Sequence, residues 1–298
     1  MKILITGGNG FLGQYLNLLL SKYHEILTLY HQEPRNCIQF NSQQIDIRDH
    51  ANLTTLFNSF RPDIVIHTAA IASHQKALEL PPKIVYETNV TSTKRIAELC
   101  DNLKCKLIYI STDLVYAGYR GSFLSEDAKL IPVSLYAETK LMGEEKIKST
   151  FDNYVILRTA LMFGLGLHGA TCFFHQMYDK LKAGVKVKVF YNQYRSPISV
   201  LEAVRVIKFI CELEIKNEVI NVGGNERLSR YDLAARLCDI AGFDKNLLEK
   251  ISIYDLPDLP HVEDVSLKID RLKSLGFNPK TPEEALIEIL RGETFISN

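Results

Sequence analysis

Tyr136 and Lys140 stand four residues apart in Tyr136-Ala137-Glu138-Thr139-Lys140, a spacing that puts both side chains on one face of a helix. A free phenol, with a pKa of about 10, is a weak acid near neutrality; a neighbouring ammonium stabilises the phenolate, each unit of lowering corresponding to about 1.4 kcal/mol. The pair therefore suits proton transfer to a carbonyl oxygen while a hydride reaches its carbon. Upstream, Leu107-Ile108-Tyr109-Ile110-Ser111-Thr112-Asp113 reads as a buried strand that delivers hydroxyls at its carboxyl end. Thr112 there would hydrogen-bond the substrate oxygen and polarise it. Asp113 would either orient substrate hydroxyls or close the strand-end turn. A Tyr-x-x-x-Lys spacing alone is common on helices; its weight here comes from the stretches around it.

The first of these is Lys2 to Leu20, an apolar run followed by Thr6-Gly7-Gly8-Asn9-Gly10-Phe11-Leu12-Gly13 and a helix-compatible segment. Gly7, Gly10 and Gly13 permit a tight strand-to-helix turn, close approach of a pyrophosphate to backbone N–H groups, and close helix packing. A helix N-terminus placed there faces phosphate with partial positive charge. Phe11 and Leu12 lie in the same turn and join the candidate cofactor contacts. The second strand, residues 25–31, ends in Tyr30 and His31 with Arg35 close behind, whereas Glu33 falls past the strand. An acid at this strand end suits the ribose of NAD and an Arg suits the 2′-phosphate of NADP, so NADP(H) is the preferred cofactor and NAD(H) the alternative. Arg35 reads equally as a solvated loop residue. Asp46 and Ile47, ending a third strand at 44–47, are placed to hold adenine, although Asp46 could instead cap the next helix. His67-Thr68-Ala69-Ala70 ends the fourth strand; Ala69 and Ala70 let a cofactor lie against backbone, and His67 reads as a hydrogen-bonded strand-end residue. Asn89 lies in the helix before the Ser-Thr strand and completes the set.

These residues need a frame, and the chain supplies one. Apolar runs at 2–6, 26–30, 44–47, 63–67, 106–111 and 154–158 alternate with helical stretches at 11–21, 50–59, 84–102 and 134–149. Such alternation predicts an α/β fold, a Rossmann-type doubly wound parallel sheet with its ligand at the carboxyl ends of the strands. Beyond residue 165 the pattern is less regular: helices near 172–183, 200–213, 229–240 and 283–291, and strands at 185–190 and 218–222. Residues 1–165 and about 200–222 are read as the cofactor domain, and about 166–199 and 223–298 as a smaller interleaved substrate domain. The 298 residues carry 35 basic and 35 acidic side chains, a formal net charge of zero, which gives no reason to expect nucleic acid or an anionic membrane. No apolar run approaches a membrane span, and the strand beginning at once leaves no room for a signal peptide; the chain is read as soluble and cytoplasmic. The six scattered cysteines, Cys100 and Cys105 included, read as core thiols. The eight histidines show no ligand spacing, so no metal site is expected.

Taken together, TGGNGFLG (6–13), HTAA (67–70), Asn89, STDLVY (111–116), YAETK (136–140) and RTALMFG (158–164) resemble the extended short-chain dehydrogenase/reductase superfamily over the whole chain. Within it the chain is most similar to reductases of the dTDP-4-dehydrorhamnose reductase type, with NQYRSP (192–197) and NVGG (221–224) as further marks. The resemblance implies Thr112, Tyr136 and Lys140 as the catalytic triad, Ala160 and Leu161 by the nicotinamide, and Arg195 near the substrate. It implies a nucleotide-sugar substrate, reduction of a keto group and, by analogy, a homodimer. Sugar-nucleotide dehydratases carry an acid pair after the threonine; here Asp113 is followed by Leu114, which removes half of it. Departures stand at Phe11, Asn192 and His261-Val262, where those reductases commonly show Gln, Asp and Arg-Pro. Two rivals remain: a sugar-nucleotide epimerase that recycles bound NAD, and a non-catalytic regulatory subunit that keeps the cofactor fold.

Overall fold

A computed structural model describes residues 1–119, 121–256 and 260–292. Seven strands form its central sheet: β1 (Lys2–Thr6), β2 (Glu25–Tyr30), β3 (Ser42–Gln44), β4 (Ile64–His67), β5 (Lys106–Thr112), β6 (Tyr154–Thr159) and β7 (Glu218–Val222). Their order is β7-β6-β5-β4-β1-β2-β3 and every pairing is parallel. This is the doubly wound α/β arrangement, whose strand order reverses at β1, beside β4.

Alternation along each strand explains why both faces are covered. Ile3 and Ile5 of β1, Ile64 and Ile66 of β4, Ile108 of β5, and Val155 and Leu157 of β6 enter one core with the helices Phe11–Leu20 and Val200–Glu212. Leu4, Val65, Leu107, Tyr109 and Ile156 enter the other, with the helices His50–Phe60 and Ser92–Leu103. Side chains with a period of two thus feed two apolar layers, which is why these strands read as continuous apolar runs. Asp49 caps the helix His50–Phe60 through Asn52 N–H, and Ser134 caps the helix Leu135–Lys148 through Ala137 N–H.

The less regular half is built on pairs of short strands. Met162–Phe163 pairs with Ile198–Ser199, Tyr194–Arg195 with Leu228–Ser229, and Val187–Phe190 with Leu248–Ile251. Two expectations are corrected here. The third strand is Ser42–Gln44, so Asp46 and Ile47 lie in the loop beyond it, held where Asp46 Oδ1 accepts from Arg48 N–H. The helix expected at 84–102 is three segments: Pro82–Tyr86, a wider π-turn Glu87–Thr91, and Ser92–Leu103. Leu248–Ile251 adds a strand to which the sequence pattern assigns no element, parallel to Val187–Phe190.

Candidate active site

At the end of β1 the chain turns through Gly7, whose φ of +71° lies in the left-handed region that glycine tolerates. Gly8 N–H donates to the Leu29 carbonyl of β2 (2.8 Å) and Gly10 N–H to the Gly7 carbonyl (2.9 Å); the helix begins at Phe11. A Cβ on Gly13 would lie 2.7 Å from Gly8 Cα and closer still to the Gly7 carbonyl oxygen, so only glycine lets this helix sit against the loop. Gly8, not among the sequence candidates, is equally confined: a Cβ there would overlap the Thr28 hydroxyl. The signal was its place directly after Gly7. Leu12 is buried in the core, and Phe11 is partly buried edge-on to Tyr15 with ring centres 6.0 Å apart. The cradle and the free N–H groups of a helix N-terminus fit a dinucleotide pyrophosphate.

The loop after β2 is tied to this turn. Arg35 Nη1 donates to the Asn9 carbonyl (2.8 Å), and Asn9 Nδ2 to the Glu33 carbonyl (2.7 Å). Tyr30 is half-buried, while His31 and Glu33 are exposed. Arg48, missed in the sequence, grips both oxygens of Asp46, and His31 Nε2 lies 3.4 Å from the same carboxylate. The hydrogen bonds from Arg48 hold the Asp46 carboxyl below its ordinary range. The Asp46 charge is thereby paired with Arg48, while Arg35 is tied to the glycine turn through Asn9.

His67 ends β4, fully buried between Thr6 Oγ1 (2.7 Å from Nδ1) and Thr93 Oγ1 (3.0 Å from Nε2), and burial pushes its pKa down to about 3. Ala69 N–H donates to Thr6 Oγ1, which shapes the small-residue loop of Ala69 and Ala70. Asn89 sits in the π-turn: its Oδ1 accepts from Ile71 N–H (2.8 Å), and its Nδ2 donates to the Ile71 carbonyl (3.2 Å) and Thr139 Oγ1 (3.0 Å). Asn89 therefore fastens the loop after β4 to the helix that carries Tyr136 and Lys140. At the end of β6, Ala160 is buried with its N–H on the Val222 carbonyl, and the Leu161 carbonyl accepts from Ile198 N–H.

Thr112 closes β5. Its hydroxyl donates to Asp113 Oδ1 (3.3 Å), accepts from Leu114 N–H (3.3 Å), and lies near enough to the Tyr136 phenol to act on it. Burial pushes the Tyr136 phenol up to about 12, opposed by Thr112 and reinforced by the Asp113 charge, so the phenol holds its proton and, contrary to the expectation from the sequence, is not lowered by Lys140. Lys140 is buried with Nζ 3.9 Å from the centre of the Tyr109 ring, and burial pushes its pKa down to about 7 against the pull of Glu144. Below it Glu144 takes the Ser111 hydroxyl (2.6 Å) and Arg158, whose Nη1 reaches the Tyr116 hydroxyl (2.9 Å). Tyr116 in turn donates to Asn221 Oδ1. This network fastens the reactive helix to β5, β6 and β7.

Across from Thr112, Arg195 Nε lies 3.4 Å from Asp113 Oδ2. Arg230, at the start of the helix Arg230–Ala241, acts on the same carboxyl. Burial raises the pKa of Asp113, with Arg195 opposing it, and lowers that of Arg230 to about 10. Two surface grooves, one lined by His50, Thr54, Lys94 and Arg95 and one by Asp63, Lys106 and Cys211, lie away from these groups. Among the described residues no three His, Cys, Asp or Glu side chains cluster as a metal site, and no helix is long and apolar enough to cross a membrane.

A hydroxyl, a protonated phenol and a lysine at the carboxyl ends of parallel strands, beside a glycine cradle, form one constellation. Residues 1–294 match the family model described as RmlD substrate binding domain. The chain is 28% identical to dTDP-4-dehydrorhamnose reductase of Aggregatibacter actinomycetemcomitans, over 84% of this chain and 81% of that protein. It is 25% identical to methionine adenosyltransferase 2 subunit beta of Xenopus laevis, over 94% and 84%. The solved dTDP-4-dehydrorhamnose reductase of Clostridium acetobutylicum superposes with a TM-score of 0.84 at 26% identity, covering 98% of this chain and 99% of that one. The chain belongs to the RmlD substrate binding domain family, within the extended short-chain dehydrogenase/reductases.

Proposed function

We propose that this family member is an NADPH-preferring reductase of a keto group on a nucleotide-activated sugar, of the dTDP-4-dehydrorhamnose type. The observation that carries the reading is the convergence of Thr112 at the end of β5 with the buried Lys140 and the phenol of Tyr136 one helical turn before it, the phenol held protonated. The cofactor supplies hydride; the chain supplies position and a proton. Gly7, Gly10, Gly13 and the N–H groups of Phe11 and Leu12 receive the pyrophosphate. Arg35 and Arg48, with Tyr30 and His31, would receive the adenosine end, and the pairing of Asp46 with Arg48 favours the extra phosphate of NADP. Ile47 flanks the adenine, while Ala69, Ala70, Ala160 and Leu161 line the remaining path. Asn89 acts through position, because both ends of its amide are engaged by Ile71 and Thr139.

Thr112 polarises the substrate carbonyl and Tyr136 delivers its proton to the forming alkoxide, a general-acid step worth roughly 10²–10⁴-fold. Lys140, whose pKa burial pulls down to about 7, would as the ammonium hold the ribose and balance charge on Tyr136. Asp113 and Arg195 face the nucleotide-sugar substrate. Residues 166–199 and 223–298 form the substrate-covering part, with 257–259 and 293–298 outside the described residues.

NADPH consumption with dTDP-4-dehydrorhamnose, measured beside NADH, tests this reading. Turnover with preference for NADPH supports it; tight NADPH binding without turnover of any keto-sugar removes it. The relationship to the methionine adenosyltransferase subunit favours a second reading, a cofactor-binding regulatory subunit. Stoichiometric capture of a catalytic partner by a chain without turnover would establish that alternative.

A further inference from the structure

The substrate wall carries more positive charge than it neutralises. One carboxylate, Asp113, faces two guanidinium groups from two different elements: Arg195 on the short strand Tyr194–Arg195 and Arg230 at the start of the helix Arg230–Ala241. Asp113 and Arg195 are each about 5% exposed. The remaining groups that face this carboxyl are the Thr112 hydroxyl and Leu114 N–H on its own strand end, and Tyr136 on the helix Leu135–Lys148. Farther out, Asp264 acts on Arg195, and Cys172 acts on Arg230. Arg230 also donates to Gln193 Oε1 (2.5 Å) and lies over the Phe173 ring at 4.5 Å.

The two oxygens of Asp113 are unlike. Oδ1 takes the Thr112 hydroxyl, whereas Oδ2 is buried, makes no hydrogen bond, and has only the ion pair at 3.4 Å. Its ionised state therefore depends on two arginines that are themselves the cations available to an incoming anion.

We propose that an anionic substrate group docks on Arg195 and Arg230, breaks the Asp113–Arg195 pair, and is bound together with a proton that Asp113 takes up. The inference rests on the reading of a nucleoside-diphosphate sugar as substrate. A diphosphate near the carboxylate repels its charge and engages the arginines that stabilised it; both effects favour the neutral acid. Burial already acts in the same direction. Neutral Asp113 gains an O–H donor, which an ionised carboxylate lacks, and can hydrogen-bond a sugar oxygen beside Thr112. Linkage is reciprocal, so the proton strengthens anion binding as much as the anion strengthens proton binding. Below both pKa values of Asp113 the acid is neutral throughout and binding is independent of pH. Between the free and the bound values affinity falls as pH rises, by up to about tenfold per unit.

Calorimetric titration with dTDP-glucose tests this, because its diphosphate diester does not titrate near neutrality. The titration is run at mildly acidic pH in two buffers of contrasting ionisation enthalpy, on the wild type and on Asp113→Asn. The expected result is heat that depends on buffer in the wild type, reporting uptake of up to about one proton per ligand, and heat independent of buffer in Asp113→Asn. Buffer-independent heat in the wild type overturns the proposal while leaving the substrate reading standing. Equal uptake in both proteins also overturns it, assigning the proton to another group such as Lys140. No binding of dTDP-glucose by the wild type removes the substrate reading and the proposal with it.

Discussion

Glu144→Gln should destabilise the protein far more than so small a change suggests. Glu144 and Arg158 are 0% and 2% exposed, and the carboxylate receives Ser111 Oγ at 2.6 Å and Arg158 through Nε at 3.1 and 3.2 Å and Nη2 at 2.8 Å. An amide keeps one accepting oxygen and turns an NH₂ toward the guanidinium or the Ser111 hydroxyl. At least one charge-assisted hydrogen bond, worth about 1.5–3 kcal/mol, is lost. Arg158 is left charged and buried, which raises the expected cost to about 3–5 kcal/mol. Set against a total stability of about 5–15 kcal/mol, 4 kcal/mol is roughly a thousandfold shift toward the unfolded chain. Urea denaturation followed by circular dichroism should show a lower midpoint with an unchanged slope, because the surface exposed on unfolding is the same. A buried pair can be exchanged for apolar residues at little cost, so Glu144→Leu with Arg158→Met should recover part of the loss. A cost below about 1 kcal/mol for Glu144→Gln would refute the reasoning, since it would mean that Arg158 finds solvent or another acid.

Gly13→Ala should weaken NADPH binding, measured by cofactor fluorescence, because the methyl would strike Gly8 and the Gly7 carbonyl; overpacking of this kind costs about 1–3 kcal/mol. Arg35→Ala should raise KM for NADPH more than for NADH, and equal effects on both would detach Arg35 from the 2′-phosphate. Lys140 has an ordinary value of 10.5 and falls to about 7 on folding, so between those values the unfolded chain binds a proton that the folded chain lacks. Stability should therefore rise with pH across that window, with the full penalty present below about 7. Urea titrations at pH 7 and 9 should show this rise in the wild type and its absence in Lys140→Met.

Legibility in the sequence followed locality. The cradle was readable because its glycines are contiguous with a strand and a helix, and Tyr136 and Lys140 because four residues make one helical turn. The two-layer core was readable in Ile3-Leu4-Ile5 and Leu107-Ile108-Tyr109, whose unbroken apolar runs signal burial on both faces. Arg48 was not readable, since its grip on Asp46 depends on a loop that begins where β3 ends early. The π-turn around Asn89, where Ser92 N–H reaches the Glu87 carbonyl one residue beyond the helical spacing, leaves no mark in periodicity. The cluster of Asp113, Arg195 and Arg230 was least legible. Asp113, Arg195 and Arg230 come from separate elements, and the two-residue strands that place Arg195 form only through pairing with Leu228–Ser229.

The most direct test of the account uses NADPH deuterated at the transferred position, a stoichiometric amount of enzyme and dTDP-4-dehydrorhamnose, with the sugar product weighed by mass spectrometry. The account predicts one deuterium in the product of the wild type and its loss, with turnover, in Tyr136→Phe. Sugar that returns without deuterium while the cofactor stays bound would contradict it, and would turn attention to epimerisation or to a regulatory role.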